Sequence, residues 1–485
     1  MNTLPDFIDS DIVWIDHIHQ RLEDVFLGKL THRERFCELY TDENGTRPVG
    51  IWGWNTWCGI HDMTPLVGES FHRVMRNTLD EGLSYPEPGT GLLPHSVPID
   101  RDGRIGYRNG EMAVCYRTYF GVHGEDYCLD NIICWAKMVL EYFLYTRNEA
   151  WFSRDKLEIV ERSTDFILEE LRSDYNPDLL ESGIEGDWTE NTDWHADNSN
   201  NNVCMIQCLR QLIEVESMLG RTSKERRYSE ILSEMEASFV SERGEGGFWE
   251  PDRGFFLHGN DGKGGRVYGD EYFESTANFF ALLLGIASGE QSRRIWSYVD
   301  GHPEIEDPLP VMTNHLPRTH GRRMRYGQTI TDGDVWLTLG AHAAAARLRH
   351  GFRRRATKMY RSIIDYEKRE GTIHNSIFRD GSRDEKWSPE IGNYGSMITP
   401  LTEGILGLQP MADGLRIEPN RTEGMRRLAT KRPLTYAGKE FFLEVRWNGG
   451  TKAKVSIDGE RVPGHRGCLL RPEYENGSLV RIEFS

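Results

Sequence analysis

Residues 129–144, Leu-Asp-Asn-Ile-Ile-Cys-Trp-Ala-Lys-Met-Val-Leu-Glu-Tyr-Phe-Leu, decide the architecture. Leu129, Ile132, Ile133, Ala136, Val139, Leu140, Phe143 and Leu144 recur at steps of three and four, the spacing of one buried helix face. The same period predicts helices at about 156–172, 201–219, 225–240, 271–286, 334–350, 352–368 and 396–407. Gly220 and Gly351 stand where two of them stop. Between them run long stretches rich in Gly, Asn, Asp, Pro and Trp, at 45–60, 84–112, 176–200, 244–270, 305–333 and 370–395. Loops of that length inside a compact domain usually carry function.

Near Leu408 the period changes from helical to two. Phe441–Trp447 and Lys454–Ile457 alternate, with turn residues at Asn448-Gly449-Gly450 and Asp458-Gly459. The expected fold is mainly α: an (α/α)6 toroid, or six-hairpin barrel, over residues 1–408, followed by a small C-terminal β-sandwich over 409–485. In a toroid, inner and outer helices alternate and the loops at one end gather over a funnel.

A chain of 485 residues buries a large core without disulfide or metal staples. The opening Met1–Trp14 carries acids where a signal peptide carries basic and apolar segments, and no run approaches the roughly 18 apolar residues of a membrane helix. A cytoplasmic location is expected. The eight cysteines, Cys37, Cys58, Cys115, Cys128, Cys134, Cys204, Cys208 and Cys468, show no CxxC pair or accompanying His spacing, so no metal site is predicted. A formal net charge of −18 argues against a nucleic acid or an anionic membrane as partner. Thirteen Trp, 19 Tyr and 20 Phe supply flat apolar faces that suit sugar rings, and large cores use the same residues.

Three segments carry chemistry. Ile51-Trp52-Gly53-Trp54-Asn55-Thr56-Trp57 packs three indoles around a polar amide, as a stacking wall or as a Trp-rich core corner. Glu181-Ser182-Gly183-Ile184-Glu185-Gly186-Asp187-Trp188-Thr189-Glu190 crowds carboxylates beside an indole. Like charges and an apolar neighbour both favour the neutral acid that a general acid must be. Asp384-Glu385-Lys386-Trp387-Ser388-Pro389-Glu390-Ile391-Gly392-Asn393-Tyr394 again combines acids, aromatics and turn residues ahead of a helix. Hydrolysis of a glycoside with inversion needs an acid for the leaving oxygen and a base for water, about 6.5–9.5 Å apart.

On these residues the chain resembles the inverting (α/α)6 enzymes that include processing α-glucosidase, mannosylglycerate and glucosylglycerate hydrolases, trehalase and the debranching amylo-α-1,6-glucosidases. Trp52-Gly53-Trp54-Asn55-Thr56-Trp57 is similar to that group's Trp-x-Trp-Asp-(Ser/Thr)-aromatic stretch at the glycone subsite, with Asn55 where the pattern has Asp. Glu181–Trp188 looks like the general-acid segment in two registers: a Gly-Asp-Trp match selects Asp187, the preferred one, and an ungapped Glu-Ser-Gly match selects Glu185. Glu385–Gly392 resembles the base motif Glu-x-aromatic-x-Pro-x-Thr-Gly and implies Glu385 as base.

The resemblance implies an inverting glycoside hydrolase that uses no cofactor and acts on a small carbohydrate. Trp52, Trp54, Asn55, Arg108, Trp188, Gln328, Asp332, Asp334, Trp336, Trp387 and Tyr394 are candidates for the sugar-binding wall. Two alternatives stand beside it. An inverting phosphorylase of the same fold would use a basic pocket, for which Arg318, His320, Arg322, Arg323 and Arg325 are available. A sugar-binding protein would keep the toroid without the chemistry.

Overall fold

The computed structural model describes residues 8–10, 31–32, 36–37, 51–98, 106–108, 111–116, 127–182, 196–260, 273–315, 334–371, 373–374, 377, 397–464 and 466–485. Helices occupy the chain to Leu406: α1 (Gly53–Ile60), α2 (Glu69–Ser84), α3 (Leu129–Thr146), α4 (Arg154–Glu170), α5 (Ser199–Met218), α6 (Thr222–Val240), α7 (Ser275–Leu283), α8 (Gly289–Gly301), α9 (Leu337–Arg349), α10 (Arg353–Glu370) and a π-helical turn, Pro400–Leu406. None of the described helices is long and apolar enough to cross a membrane.

The helices fall into two kinds. In α3 every residue from Leu129 to Tyr145 is buried, and α7 and most of α9 are buried likewise, as expected of helices apolar on all sides. In contrast, α2, α4, α8 and α10 alternate one buried stripe with exposed charge. The buried helices pack in chain order, α1 on α3, α3 on α5, α5 on α7, α7 on α9 and α9 on the π turn, while α6 leans on α5 and α10 on α9. Small residues permit these approaches. A Cβ at Gly53 would lie 1.9 Å from the Asn131 carbonyl oxygen, and one at Gly404 would lie 3.3 Å from the Ala345 Cα.

Several boundaries differ from the sequence expectation. Part of the stretch read as a loop at 45–60 is α1, where Trp54 and Trp57 face the interior at a three-residue step. The predicted 271–286 helix begins only at Ser275, because Phe273–Glu274 pairs with Asn314–His315. Helices α2 and α8 carry weak apolar stripes: His72, Thr78 and Gly82 interrupt the buried face of α2, and Gln291 and Ser292 that of α8.

Beyond Leu406 the chain is β. Leu408–Met411, Gly414–Ile417 and Cys468–Leu470 form one antiparallel sheet. The larger sheet centres on Lys439–Trp447, which pairs in parallel with Ser478–Phe484 and antiparallel with Arg427–Thr430. Ile8–Ser10 adds to its edge beside Arg427–Thr430. The strand at 439–447 and the strand at 453–457 agree with the period-two reading to within two residues.

The β region docks on the carboxyl ends of α1, α3 and α5. The Ala437 amide donates to the Tyr145 carbonyl (2.8 Å). Thr435 Oγ1 donates to the Thr64 carbonyl (3.1 Å), and the Ala412 amide to Glu214 Oε2 (2.6 Å).

Candidate active site

At their amino ends the buried helices are tied together through side-chain amides. Asn131, in the first turn of α3, accepts the Trp54 amide of α1 on Oδ1 (2.9 Å). Asn202 of α5 accepts the Leu180 amide (2.9 Å) and donates Nδ2 to the Leu180 carbonyl (3.0 Å). Asn278 of α7 repeats this on Phe256, accepting its amide at 2.9 Å and donating to its carbonyl at 2.8 Å. The carboxamides of Asn202 and Asn278 present the donor and acceptor of a peptide and so pair with backbone as a neighbouring strand would, whereas Asn131 supplies only the acceptor and turns Nδ2 to Cys128 Sγ and Asp130 Oδ1.

The stitching continues by backbone. The Ser199 amide donates to the His258 carbonyl (2.8 Å), that of Ser275 to the Thr313 carbonyl (2.9 Å), and that of Thr313 to the Asp334 carbonyl (2.8 Å). Val335 bridges Ile377. Glu274, fully buried, caps α7 by accepting the Thr276 and Ala277 amides at 2.9 and 2.8 Å. Burial raises its carboxyl pKa against the lowering effect of His258 and of those amides.

Two connections with candidate acids are anchored on this end. The segment with Glu185 and Asp187 leaves from Glu181–Ser182 and returns at Ala196–Asn198, and these stems pair antiparallel, Glu181 opposite Asp197. It leads directly into α5. The segment with Glu385 lies between Ile377, bridged to the entry of α9, and the π turn at Pro400.

Among the sequence-predicted residues, Asp187, Glu385, Trp188, Gln328, Asp332, Trp387 and Tyr394 lie outside the described residues, as do Glu185 and the basic group Arg318–Arg325. Trp52 lies in a strand, Ile51–Trp52, paired with Ser96–Val97; Asn55 is in α1; and Arg108 is in the strand Tyr107–Arg108. Trp54 is 2 % exposed, with its ring 5.5 Å from Trp57 and 6.1 Å from Phe280. Asp334 and Trp336 are buried at the entry of α9, and the Trp336 amide donates to the Val311 carbonyl (2.9 Å).

One residue at this end was missed from sequence. Asp197 is buried at the stem of the Asp187 segment, and burial raises its carboxyl pKa to about 7, with the Ser173 hydroxyl opposing and Glu181 reinforcing the shift. An Asp just before the Asn198 cap of α5 reads as ordinary helix-start chemistry, so spacing alone gave no signal.

The carboxyl ends of the same helices hold a second polar group. His61 and Asp62 follow α1, Glu141 lies near the end of α3, and Glu403 lies in the π turn. His61 Nε2 is 2.9 Å from Asp62 Oδ2 and 4.0 Å from Glu403 Oε1. Burial works against the imidazolium, but the Asp62 carboxylate outweighs it and holds the His61 pKa at about 9. Burial raises Glu141 to about 8 and lowers His342, whose ring stacks 5.7 Å from His61, to about 3. Between the two ends, Lys137 is fully buried with Nζ 3.4 Å above the Trp57 ring. Cys58, Cys134, Cys204 and Cys208 are buried free thiols.

Solved structures of similar fold include carbohydrate-cleaving enzymes. Over 92 % of this chain and 42 % of the other, the fold is similar to a GH78 rhamnosidase of Bacillus sp. GL1 (TM-score 0.58, 14 % identity). It is also similar to a Klebsiella oxytoca rhamnosidase with rhamnose bound, over 83 % of this chain and 66 % of the other (TM-score 0.56, 11 % identity). A third likeness is to the GH63 mannosylglycerate hydrolase of Thermus thermophilus in complex with glucose, over 73 % and 94 % (TM-score 0.53, 12 % identity). No protein-family profile and no curated protein sequence matches the chain.

Proposed function

We propose that the protein is an inverting glycoside hydrolase of the (α/α)6 type, with a catalytic helical domain over 1–408, a β-sandwich domain over 409–485 and a small, neutral oligosaccharide or glycoside as substrate. Asp187 protonates the glycosidic oxygen. Glu385 takes a proton from the attacking water, and the water's oxygen bonds to the anomeric carbon from the opposite face as the glycosidic bond breaks. The observation that carries this reading is the placement of the segment stems. The connections bearing Asp187 and Glu385 both join the amino ends of buried helices, α5 and the π turn, which is the end not covered by the β region.

The toroid is supported by the packing of α1, α3, α5, α7, α9 and the π turn in chain order, and by the likeness in fold to GH63 and GH78 enzymes. Asn131, Asn202 and Asn278 hold the rim by backbone pairing, so the carbohydrate-facing work falls to the connections. Trp52, Asn55, Arg108, Trp188, Gln328, Asp332, Trp387 and Tyr394 contribute the stacking and hydroxyl contacts, with Asp334 and Trp336 at the floor and Trp54 packed behind it.

The test is proton NMR of the anomeric signals during turnover of α- and β-linked glucosides, mannosides, rhamnosides and disaccharides, with and without phosphate. Phosphate-independent release of a sugar of inverted configuration, lost in Asp187→Asn and Glu385→Gln, is the expected result. A requirement for phosphate would make the protein a phosphorylase. Binding without turnover of any sugar would leave a sugar-binding protein.

A further inference from the structure

The carboxyl ends of the buried helices and the strand Leu408–Met411 border a cavity of about 370 Å³ that is open on one side. Asp62, Glu141, Gln207, Arg349 and Glu403 stand in its wall. One donor atom each of His61, Asp62 and Glu403 lies within 4.8 Å of the other two. His61 and Asp62 are 3 % and 2 % exposed, so water screens this group poorly.

The tautomer of His61 gives the cluster its character. Its Nδ1 sits 2.9 Å from the Trp57 carbonyl oxygen, which can only accept, so Nδ1 carries the hydrogen. In the neutral ring, the Nε2 lone pair then points among carboxylate oxygens at 2.9 and 4.0 Å. Lone pair against carboxylate is repulsive, and either a proton or a bound cation relieves it. A histidine whose far nitrogen is fixed by a backbone carbonyl is also the usual form of a metal-ligating imidazole.

Three further observations favour a cation. Gln207 is 8 % exposed, lines the cavity, and its buried Oε1 has no hydrogen-bond partner. Gln211, also in the wall, donates Nε2 to Glu141 Oε2 (3.1 Å) and leaves its own Oε1 without a donor. The carboxyl ends of the surrounding helices direct partial negative charge to the same volume. Against these oxygens, Arg349 neutralises one carboxylate, donating to Glu403 Oε2 at 3.0 Å.

We propose that one divalent transition-metal cation binds at the edge of this cavity through His61 Nε2, Asp62 and Glu403. One imidazole nitrogen with carboxylates suits Mn²⁺ or Zn²⁺ better than Ca²⁺ or Mg²⁺, which take all-oxygen sets. His61 and Asp62 follow the first buried helix and Glu403 lies in the last, so the ion ties the ends of the helical series together. Its role is structural, and the inference does not depend on the proposed hydrolysis.

The test uses the full chain, stripped with chelator and titrated with MnCl₂ followed by electron paramagnetic resonance, and with ZnCl₂ followed by calorimetry. One equivalent saturating at micromolar metal and a metal-dependent rise in melting temperature are expected. Glu403→Gln and Asp62→Asn should each weaken binding about tenfold or more while their metal-free melting temperatures remain measurable. The absence of saturable binding up to millimolar metal, or binding unchanged in both variants, overturns the proposal and leaves a protonated His61 held between carboxylates.

Discussion

The two ends of the buried helices solve opposite problems with similar residue types. At the amino ends, Asn131, Asn202, Asn278 and Glu274 accept backbone amides, and Asn202 and Asn278 also donate to backbone carbonyls, all at 2.8–3.0 Å. At the carboxyl ends, His61, Asp62, Glu141 and Glu403 face one another, and Gln207 and Gln211 keep oxygen atoms without donors. One end is a closed framework from which loops can be elaborated with little disturbance of the core. The other holds binding capacity that the protein's own groups do not use.

The sharpest way to break this contrast is to remove the chemistry assigned to the amino end. Asp187→Asn and Glu385→Gln should each lower kcat by about 10²–10⁴-fold, with the circular dichroism spectrum and melting temperature of the wild type. A loss of folding in place of turnover would make those connections part of the framework.

Next in size is the framework itself. Asn278→Ala removes the partner of both the amide and the carbonyl of Phe256, which are buried, and should cost about 1–3 kcal/mol in urea unfolding. Asn278→Asp keeps the acceptor but sets a buried carboxyl oxygen against the Phe256 and Glu274 carbonyls, so it should cost more than alanine. A smaller cost than alanine would mean that packing, not the paired hydrogen bonds, sets the value of this side chain.

Between the ends, the sign should reverse. Lys137 is buried over Trp57, and its contacts among the described residues include no ion pair with a carboxylate. Lys137→Met keeps the length of the chain and relieves the burial of a charge, so stability should stay level or rise by about 1 kcal/mol. A large loss would show that the ammonium is matched electrostatically by the carboxylates near the carboxyl ends.

Legibility from sequence follows the same division. The helix at 129–146 was readable because an all-round buried helix is saturated with apolar residues, and the β region because alternation changes the period from 3.6 to two. The segments bearing Asp187 and Glu385 stand out in the sequence because their residues are contiguous within each connection, and both acids lie outside the described residues. The carboxyl-end group does not stand out. His61 and Asp62 are adjacent, but Glu141 and Glu403 come from helices far away in the chain, and only the packing of α1, α3 and the π turn brings them together. The clamp residues hid for another reason: Asn202 and Asn278 each sit within buried helices, where an amide reads as an interruption of the apolar face until its strand partner is seen.

A pH-dependent effect tests whether the stem of the Asp187 segment is stressed by charge. Asp197 is buried, and its carboxyl pKa is raised to about 7, from an ordinary value of 3.8, chiefly by burial. Because the folded pKa lies above the unfolded one, the unfolded chain releases this proton first. The contribution to stability is therefore fully present below about pH 3.8 and is lost as pH rises through about 7. Asp197→Asn removes the titration while keeping the shape of the side chain. The melting temperature of the variant relative to wild type should rise between pH 5 and pH 8, by the equivalent of about 2–3 kcal/mol. A difference that stays flat over that range would mean that Asp197 is ionised throughout in the folded protein, with its charge met by a group on the segment it anchors. The amino end would then hold a buried, matched charge pair of its own, and the contrast between the two ends would narrow to one of degree.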